Sequence, residues 1–386
     1  MRAQRPNVKE KWISIVGARP QFVKLAPLSR AVNDHNRRFP DSPIEHQILH
    51  TGQHYDREVA DVFFEQMRIP TPRYNLGVGS GSHGTQLARM LARMEPILCS
   101  QAPAWVIVYG DTNSTLAGAL LAARLGLRLA HIEAGCRSGD LSQPEEQNRI
   151  IADQFSTLLF AASKKNQANL HQEGIGLEHD PLRRRIVVVG DILLDALLQN
   201  LTIAEENSAD ILQELQVESG RYCLLTLHRA ENTDNVDRLR DIVKGVSEIG
   251  SPVIFPVHPR TREALKHAGI SLNGHIRPIE PQGYLQMLVL QKNASRILTD
   301  SGGVQKEAFY LRVPCITLRE RTEWVETVTA GANRLVSANP SAIAAAASEE
   351  FQPDWVACHY GEGKTAEQIV TELMCDKAMA RSTCAS

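Results

Sequence analysis

The sequence predicts an α/β protein built from two doubly wound parallel sheets. At roughly 100–200 residues per domain, 386 residues with 43% hydrophobic content are enough for two separate cores. Short β-branched runs alternate with amphipathic helical patterns, the signature of strands joined by crossover helices. That alternation occurs twice, on either side of a polar stretch around Glu205 to Gly220, which favours two sheets over one large one.

In order, the first series of strand-like runs is WISIV (12–16), EHQILH (45–50), WVIVYG (105–110), LRLAHIE (127–133), TLLFAAS (157–163) and RIVVVGD (185–191). The second is YCLLTLH (222–228), PVIFPVH (252–258), ASRILTD (294–300) and VPCITLR (313–319). The expected divisions are an N-terminal domain over 1–192, a second over 193–362, and a C-terminal segment over 363–386. GDILLDALLQN begins a connecting helix, and a helical pattern from Lys364 to Cys375 is expected to cross back to the first half. The tail DKAMARSTCAS has no periodicity and is expected to fray.

Composition narrows the function classes. Lys and Arg number 42 against 44 Asp and Glu, so no global basic excess points to nucleic acid. The best apolar run, LAGALLAARLGL, is broken by Arg124 and falls short of the roughly 18–20 residues that a bilayer span needs. The run after the basic amino terminus ends at Arg19, too soon for a secretory signal, so a cytoplasmic location is expected. The seven cysteines have no C-x-x-C spacing and are expected to be reduced core fillers.

Open α/β sheets bind ligands beyond the carboxyl ends of their strands. Polar residues collect there: Arg19, His54, Asp111, Glu133, His228, His258 and Ser301 each follow or end a strand-like run. The expected active site is a cleft between two such rims.

The strongest local motif is Thr299-Asp300-Ser301-Gly302-Gly303-Val304-Gln305-Lys306-Glu307, a strand running into glycines that open a helix. Ser301, Gly302 and Gly303 suit a pyrophosphate, and Glu307, one turn in, suits a ribose diol. An ordinary Ser-capped helix is the competing reading. In GARPQFVK, Pro20 fits the first helical position, leaving Arg19 and Lys24 able to hold phosphate oxygens. Asp111 and Glu133 end consecutive strands and should stand side by side, while Glu145 and Arg149 have the spacing of a helical ion pair. Three carboxylates beside basic residues point to proton transfer at carbon or at a leaving group. His228, in HRAEN, can donate to a phosphate or act as an acid. No H-E-x-x-H and no G-x-G-x-x-G after a strand occurs, so neither a catalytic metal nor a dinucleotide cofactor is expected.

With those residues in view, the chain resembles the non-hydrolysing UDP-N-acetylglucosamine 2-epimerases. The resemblance runs from Trp12 to Val336 through GARPQFVK, HTGQHYD, VYGDTNSTLAGALLAA, HIEAGCRS, PEEQNR, LLFAAS, VVGD, TLHRAEN, PVHPR, TDSGGVQKEA and LRERTEW, in family order. It implies a GT-B-type fold, no cofactor, a homodimer, and a UDP-sugar substrate destined for cell-surface polysaccharide precursors. It further implies inversion at carbon 2 by elimination and re-addition of UDP through a 2-acetamidoglucal. Catalytic roles are implied for Asp111, Glu133, Glu145 and His228. Substrate or UDP contacts are implied for Arg19, Lys24, Arg149, His228, Tyr284, Ser301, Gly302, Gly303, Glu307 and Arg319.

GARPQF and TEWVE replace the family's more usual GTRPE and TERPE, and the loop between HIEAGCRSGDL and PEE is shorter than in typical members. Those variants look like the branch acting on UDP-2,3-diacetamido-2,3-dideoxyglucuronic acid, the alternative substrate. HTGQHYD keeps Gln53 but has Asp56 where members with a second, activating substrate site carry glutamine, so that site is not expected. A GT-B glycosyltransferase is the alternative from another class, because TDSGGVQKEA also fits a donor-sugar site.

Overall fold

A computed structural model of the chain describes residues 9–53, 67–208, 210–272, 274–356 and 360–383. His54 and Asp56, named above, lie outside them. The chain divides into two compact units, Met1–Ala196 with Tyr360–Ser386, and Leu197–His359.

In the first unit, β1 (Glu10–Val16), β2 (Ile44–His50), β3 (Tyr74–Asn75), β4 (Trp105–Tyr109), β5 (Leu129–Ala134), β6 (Leu158–Ala161) and β7 (Arg185–Val188) form one sheet. Its order is β3-β2-β1-β4-β5-β6-β7, with every pairing parallel. In the second unit, β8 (Cys223–Thr226), β9 (Val253–Pro256), β10 (Ile276–Ile279), β11 (Arg296–Thr299), β12 (Cys315–Thr317) and β13 (Asn333–Leu335) follow the order β10-β9-β8-β11-β12-β13, again all parallel. Each sheet reverses winding once, between β1 and β4 and between β8 and β11. Those are the switch points where crevices open at strand ends.

The central strands are nearly continuous apolar runs because helices cover both faces of a parallel sheet. Every residue of β4 is buried, as is every residue of β6 and β9. On one face of the first sheet, Ile13, Ile15, Val106 and Val108 pack with Met90, Met94 and Leu98 from the helix His83–Gln101. Among the described residues of the second unit, one such core surrounds Leu225, Phe255 and Ile242 and another surrounds Leu224, Ile254 and Leu288.

The three strands that sequence reading misses, β3, β10 and β13, are all outermost in their sheets. Edge strands are short and lack the buried two-faced pattern, and β10 carries Pro278, which an edge tolerates. The last helix runs Thr365–Thr383, past Cys375, so the tail expected to fray continues the helix; Lys, Ala, Met and Arg are strong helix formers even without an apolar stripe. Asp195 accepts the amides of Thr365 and Ala366 at its start, and the indole of Trp105 donates to the carbonyl of Leu373. Of the cysteines, Cys136, Cys223 and Cys315 are buried, but Cys99 and Cys375 are exposed and so are not core fillers. Among the described residues no helix is long and apolar enough to cross a membrane.

Candidate active site

At the β1/β4 switch point the helix Arg19–Arg38 begins one residue earlier than expected, placing Pro20 second. Its entry is locked by Gln21, which is 1% exposed. The Gln21 side-chain oxygen accepts the amides of Gly17 and Ala18, and its nitrogen donates to the carbonyl of Tyr109 and to Thr115. The β1 exit is thereby tied to the β4 exit. Arg19 is exposed at the helix mouth, whereas Lys24, one turn on, forms an ion pair with Glu133.

Asp111 and Glu133 follow or end the paired strands β4 and β5. Asp111 is ion-paired with Arg149, and the side-chain amide of Asn148 donates to the Asp111 carbonyl. Glu133 has a φ of 74°, and the β5/β6 register shifts between Ile132 and Ala134. A non-glycine residue in the left-handed region at a bulge is backbone strain of the kind that re-aims a side chain.

The expected Glu145–Arg149 pair is not formed. Arg149 bonds Glu146 at 2.9 Å instead, and Glu146 also accepts the amides of Ser138 and Gly139. Glu146 is 1% exposed, so its charge needs these partners, while Glu145 is only half-buried and keeps contact with water.

In the second unit, the β8 and β11 exits converge on Asp300. It accepts the amides of His228 and Arg229 and the side-chain amide of Asn232, and its carboxylate lies 3.0 Å from Nδ1 of His228. Burial opposes ionisation of Asp300, but these donors hold its pKa below the ordinary carboxylate range. The ring of His228 is left partly exposed, with that of His258 6.0 Å away.

The helix Gly302–Tyr310 opens at Ser301, which makes no side-chain cap bond, so the segment is not the ordinary Ser-capped helix. Gly302 is buried against Glu323: a Cβ there would meet that carboxylate at 2.7 Å. Lys306 lies 3.8 Å from the ring centre of Trp324. Glu307 accepts from Gln291 at 2.8 Å and faces the hydroxyl of Tyr284, and burial pushes its pKa up to about 7. Arg319, expected to line a cleft, is 2% exposed and ion-paired with Glu323 at 3.0 Å.

Sequence reading missed Gln21, His131, Glu146, Asp153 and Asp300. All are buried polar groups that hold backbone in place; for all but Glu146 the one sequence signal is a polar residue inside or just beyond an apolar run, and Glu146, within SQPEEQNR, has none. Among the described residues no group of three His, Cys, Asp or Glu side chains is placed to hold a metal.

A family model described as UDP-N-acetylglucosamine 2-epimerase matches residues 38–374. This chain belongs to the UDP-N-acetylglucosamine 2-epimerase family. A UDP-N-acetylglucosamine 2-epimerase homolog of Methanococcus maripaludis is 46% identical, covering 94% of this chain and 99% of the relative. The UDP-2,3-diacetamido-2,3-dideoxy-D-glucuronate 2-epimerase of Pseudomonas aeruginosa is 42% identical over the same shares. Among solved structures, the Methanocaldococcus jannaschii UDP-GlcNAc 2-epimerase in complex with UDP-GlcNAc and UDP matches with a TM-score of 0.83 at 44% identity, covering 94% of this chain and 99% of that one. The epimerase fold is therefore of the GT-B class, with two Rossmann-like units, and the protein is a nucleotide-sugar isomerase rather than a glycosyltransferase.

Proposed function

We propose that the protein interconverts UDP-N-acetylglucosamine and UDP-N-acetylmannosamine by elimination and re-addition of UDP. The observation that carries this reading is the juxtaposition of Asp111 and Glu133 on neighbouring strands, each ion-paired to a cation, Arg149 and Lys24 respectively. A carboxylate takes the proton from carbon 2, the C–H electrons form the C1=C2 bond, and the C1–O bond breaks with its electrons passing to the diphosphate. UDP then attacks carbon 1 of the glucal while a proton returns to the other face of carbon 2. Inversion needs acids on two faces, and Asp111 and Glu133, with Glu145 on the adjoining helix, supply the carboxylates.

The leaving group is an anion, so fixed donors stabilise it most as the bond breaks. His228, with its Asp300 partner, and the Ser301-Gly302-Gly303 turn fill that role in the second unit, and Arg19 in the first. Glu307, backed by Tyr284 and Gln291, suits the ribose hydroxyls, and buried Arg319 supports the turn through Glu323 and Gly302.

A second reading takes UDP-2,3-diacetamido-2,3-dideoxyglucuronate as substrate. The GARPQF and TEWVE variants favour it, as does the 42% identity to the Pseudomonas aeruginosa enzyme. Incubating each sugar nucleotide with enzyme in deuterated water tests both readings. The expected result is deuterium at carbon 2 and the epimeric product from UDP-N-acetylglucosamine without an acceptor; exchange with the uronate alone establishes the second reading, and exchange with neither overturns both. Homodimerisation and a cytoplasmic location complete the proposal, with light scattering and cell fractionation as their tests, and the resemblance supports a role in supplying polysaccharide precursors.

A further inference from the structure

Behind the two carboxylates lies a buried histidine–aspartate pair that the reaction scheme leaves unused. His131 of β5 and Asp153 of the helix Pro144–Phe155 are both fully buried, with Nδ1 of His131 2.7 Å from Asp153. The other ring nitrogen, Nε2, lies 2.8 Å from the carbonyl oxygen of Gly110. The second carboxylate oxygen of Asp153 accepts the amide of Gly135 at 3.1 Å and the guanidinium of Arg137 at 2.8 Å. Arg137 is itself paired with Glu173 at 2.6 Å.

A carbonyl oxygen only accepts, and an Asp153 carboxylate that accepts an amide and a guanidinium is ionised. Both nitrogens of His131 therefore face acceptors, and both bonds form only when the ring carries two protons. The atoms so held are also significant, since Gly110 immediately precedes Asp111 and Gly135 lies two residues after Glu133. Gly110 has a φ of 60°, Glu133 of 74° and Gly135 of 77°, so the clamp grips both strand exits where the backbone is left-handed. A side chain at Gly135 would collide with the carbonyl of Asn166 at 2.3 Å, so the β5 exit passes close against that backbone.

We infer that His131 is a buried imidazolium which, with Asp153, is a positioning pair that sets the aim of Asp111 and Glu133 by holding Gly110 and Gly135. The inference rests on the epimerase reading for its kinetic consequence but not for the charge state. Neither residue touches substrate. Loss of either bond tilts a catalytic carboxylate, and a misplacement on the order of 1 Å costs about 10²-fold in rate.

The test has two arms. In protein labelled with 15N-histidine, the His131 resonance, assigned by its loss in His131→Gln, is expected to show protons on both nitrogens at neutral pH. A singly protonated ring overturns the inference. In the second arm, Asp153→Asn and His131→Gln are expected to lower kcat about 10²-fold while KM stays within about threefold of wild type and UDP affinity by calorimetry is unchanged. Wild-type kcat in both variants, or a parallel loss of UDP affinity, overturns it. Should either variant fail to fold, the His131 resonance is assigned instead by through-bond connectivity to its own backbone in the wild-type protein, and its protonation still decides. Absence of deuterium exchange in the wild type would instead strike the epimerase reading and leave the imidazolium to be judged by its own resonance.

Discussion

Lys24, one turn into the first helix, closes an ion pair on Glu133, and Glu133 is held in the left-handed backbone region at φ 74°. Both groups are largely buried, at 11% and 8% exposure, so neither charge is well served by water. Replacing Lys24 by Met removes the cation paired with this largely buried carboxylate, and breaking a buried pair costs about 3–5 kcal/mol. The expected outcome is a lowered denaturation midpoint together with a turnover reduced about 10²-fold. Lys24→Arg, which keeps the charge, is expected to recover most of the stability.

Backbone strain at Glu133 separates from its chemistry in a pair of variants. Glu133→Gly and Glu133→Ala both remove the carboxylate and both are expected to abolish deuterium exchange. Only glycine occupies φ 74° without a steric cost, so the glycine variant should be more stable than the alanine one by about 1–2 kcal/mol. Chemical denaturation of the two proteins measures the difference. Equal stabilities would mean that the left-handed conformation is not maintained.

Glu307 gives a pH dependence with a defined sign. Burial raises its pKa from 4.5 to about 7, so the folded protein holds this proton over a range in which the unfolded chain has released it. That contribution to stability is full below pH 4.5 and is lost as pH rises to about 7. Ribose hydroxyls donate to the ionised form, so UDP binding should release a proton near pH 6.5–7 and tighten as pH rises through about 7. Calorimetry in buffers of different ionisation enthalpy reads the release. The difference between wild type and Glu307→Gln isolates it from titration of the phosphate itself.

Asp300 organises the β8 exit through two backbone amides, Asn232 and His228. Asp300→Ala strands those donors, the fully buried Asn232 amide among them, and is expected to destabilise the protein by about 3 kcal/mol or more. His228→Gln, at a partly exposed ring, is expected to cost less than about 1 kcal/mol while lowering turnover. If the two changes prove equally destabilising, Asp300 does not have the organising role described.

The legible part of the molecule was the part written in periodicity. Buried central strands such as WVIVY and LLFA are apolar throughout because both faces are covered, and that pattern survives in one dimension. The placement of Asp111 and Glu133 beside each other followed from consecutive runs of this kind. Edge strands such as Tyr74–Asn75 and Asn333–Leu335 have no such pattern, since one side of each lacks a neighbour and a two- or three-residue strand has no period to read.

The pairing of charges was a different matter. Spacing alone nominated Glu145 for Arg149, because residues four apart on a helix are neighbours. The folded chain chose Glu146, a carboxylate whose burial is stable only where amides and a guanidinium meet it, together with Asp111 from the β4 exit. The sequence by itself established two parallel α/β units, the order of their central strands along the chain and the residue types gathered at strand ends. Which cation answers which carboxylate, the left-handed turn at Glu133, and the His131–Asp153 clamp behind it arose only on folding. Desolvation acts on three-dimensional neighbours, and no local pattern along a chain encodes those.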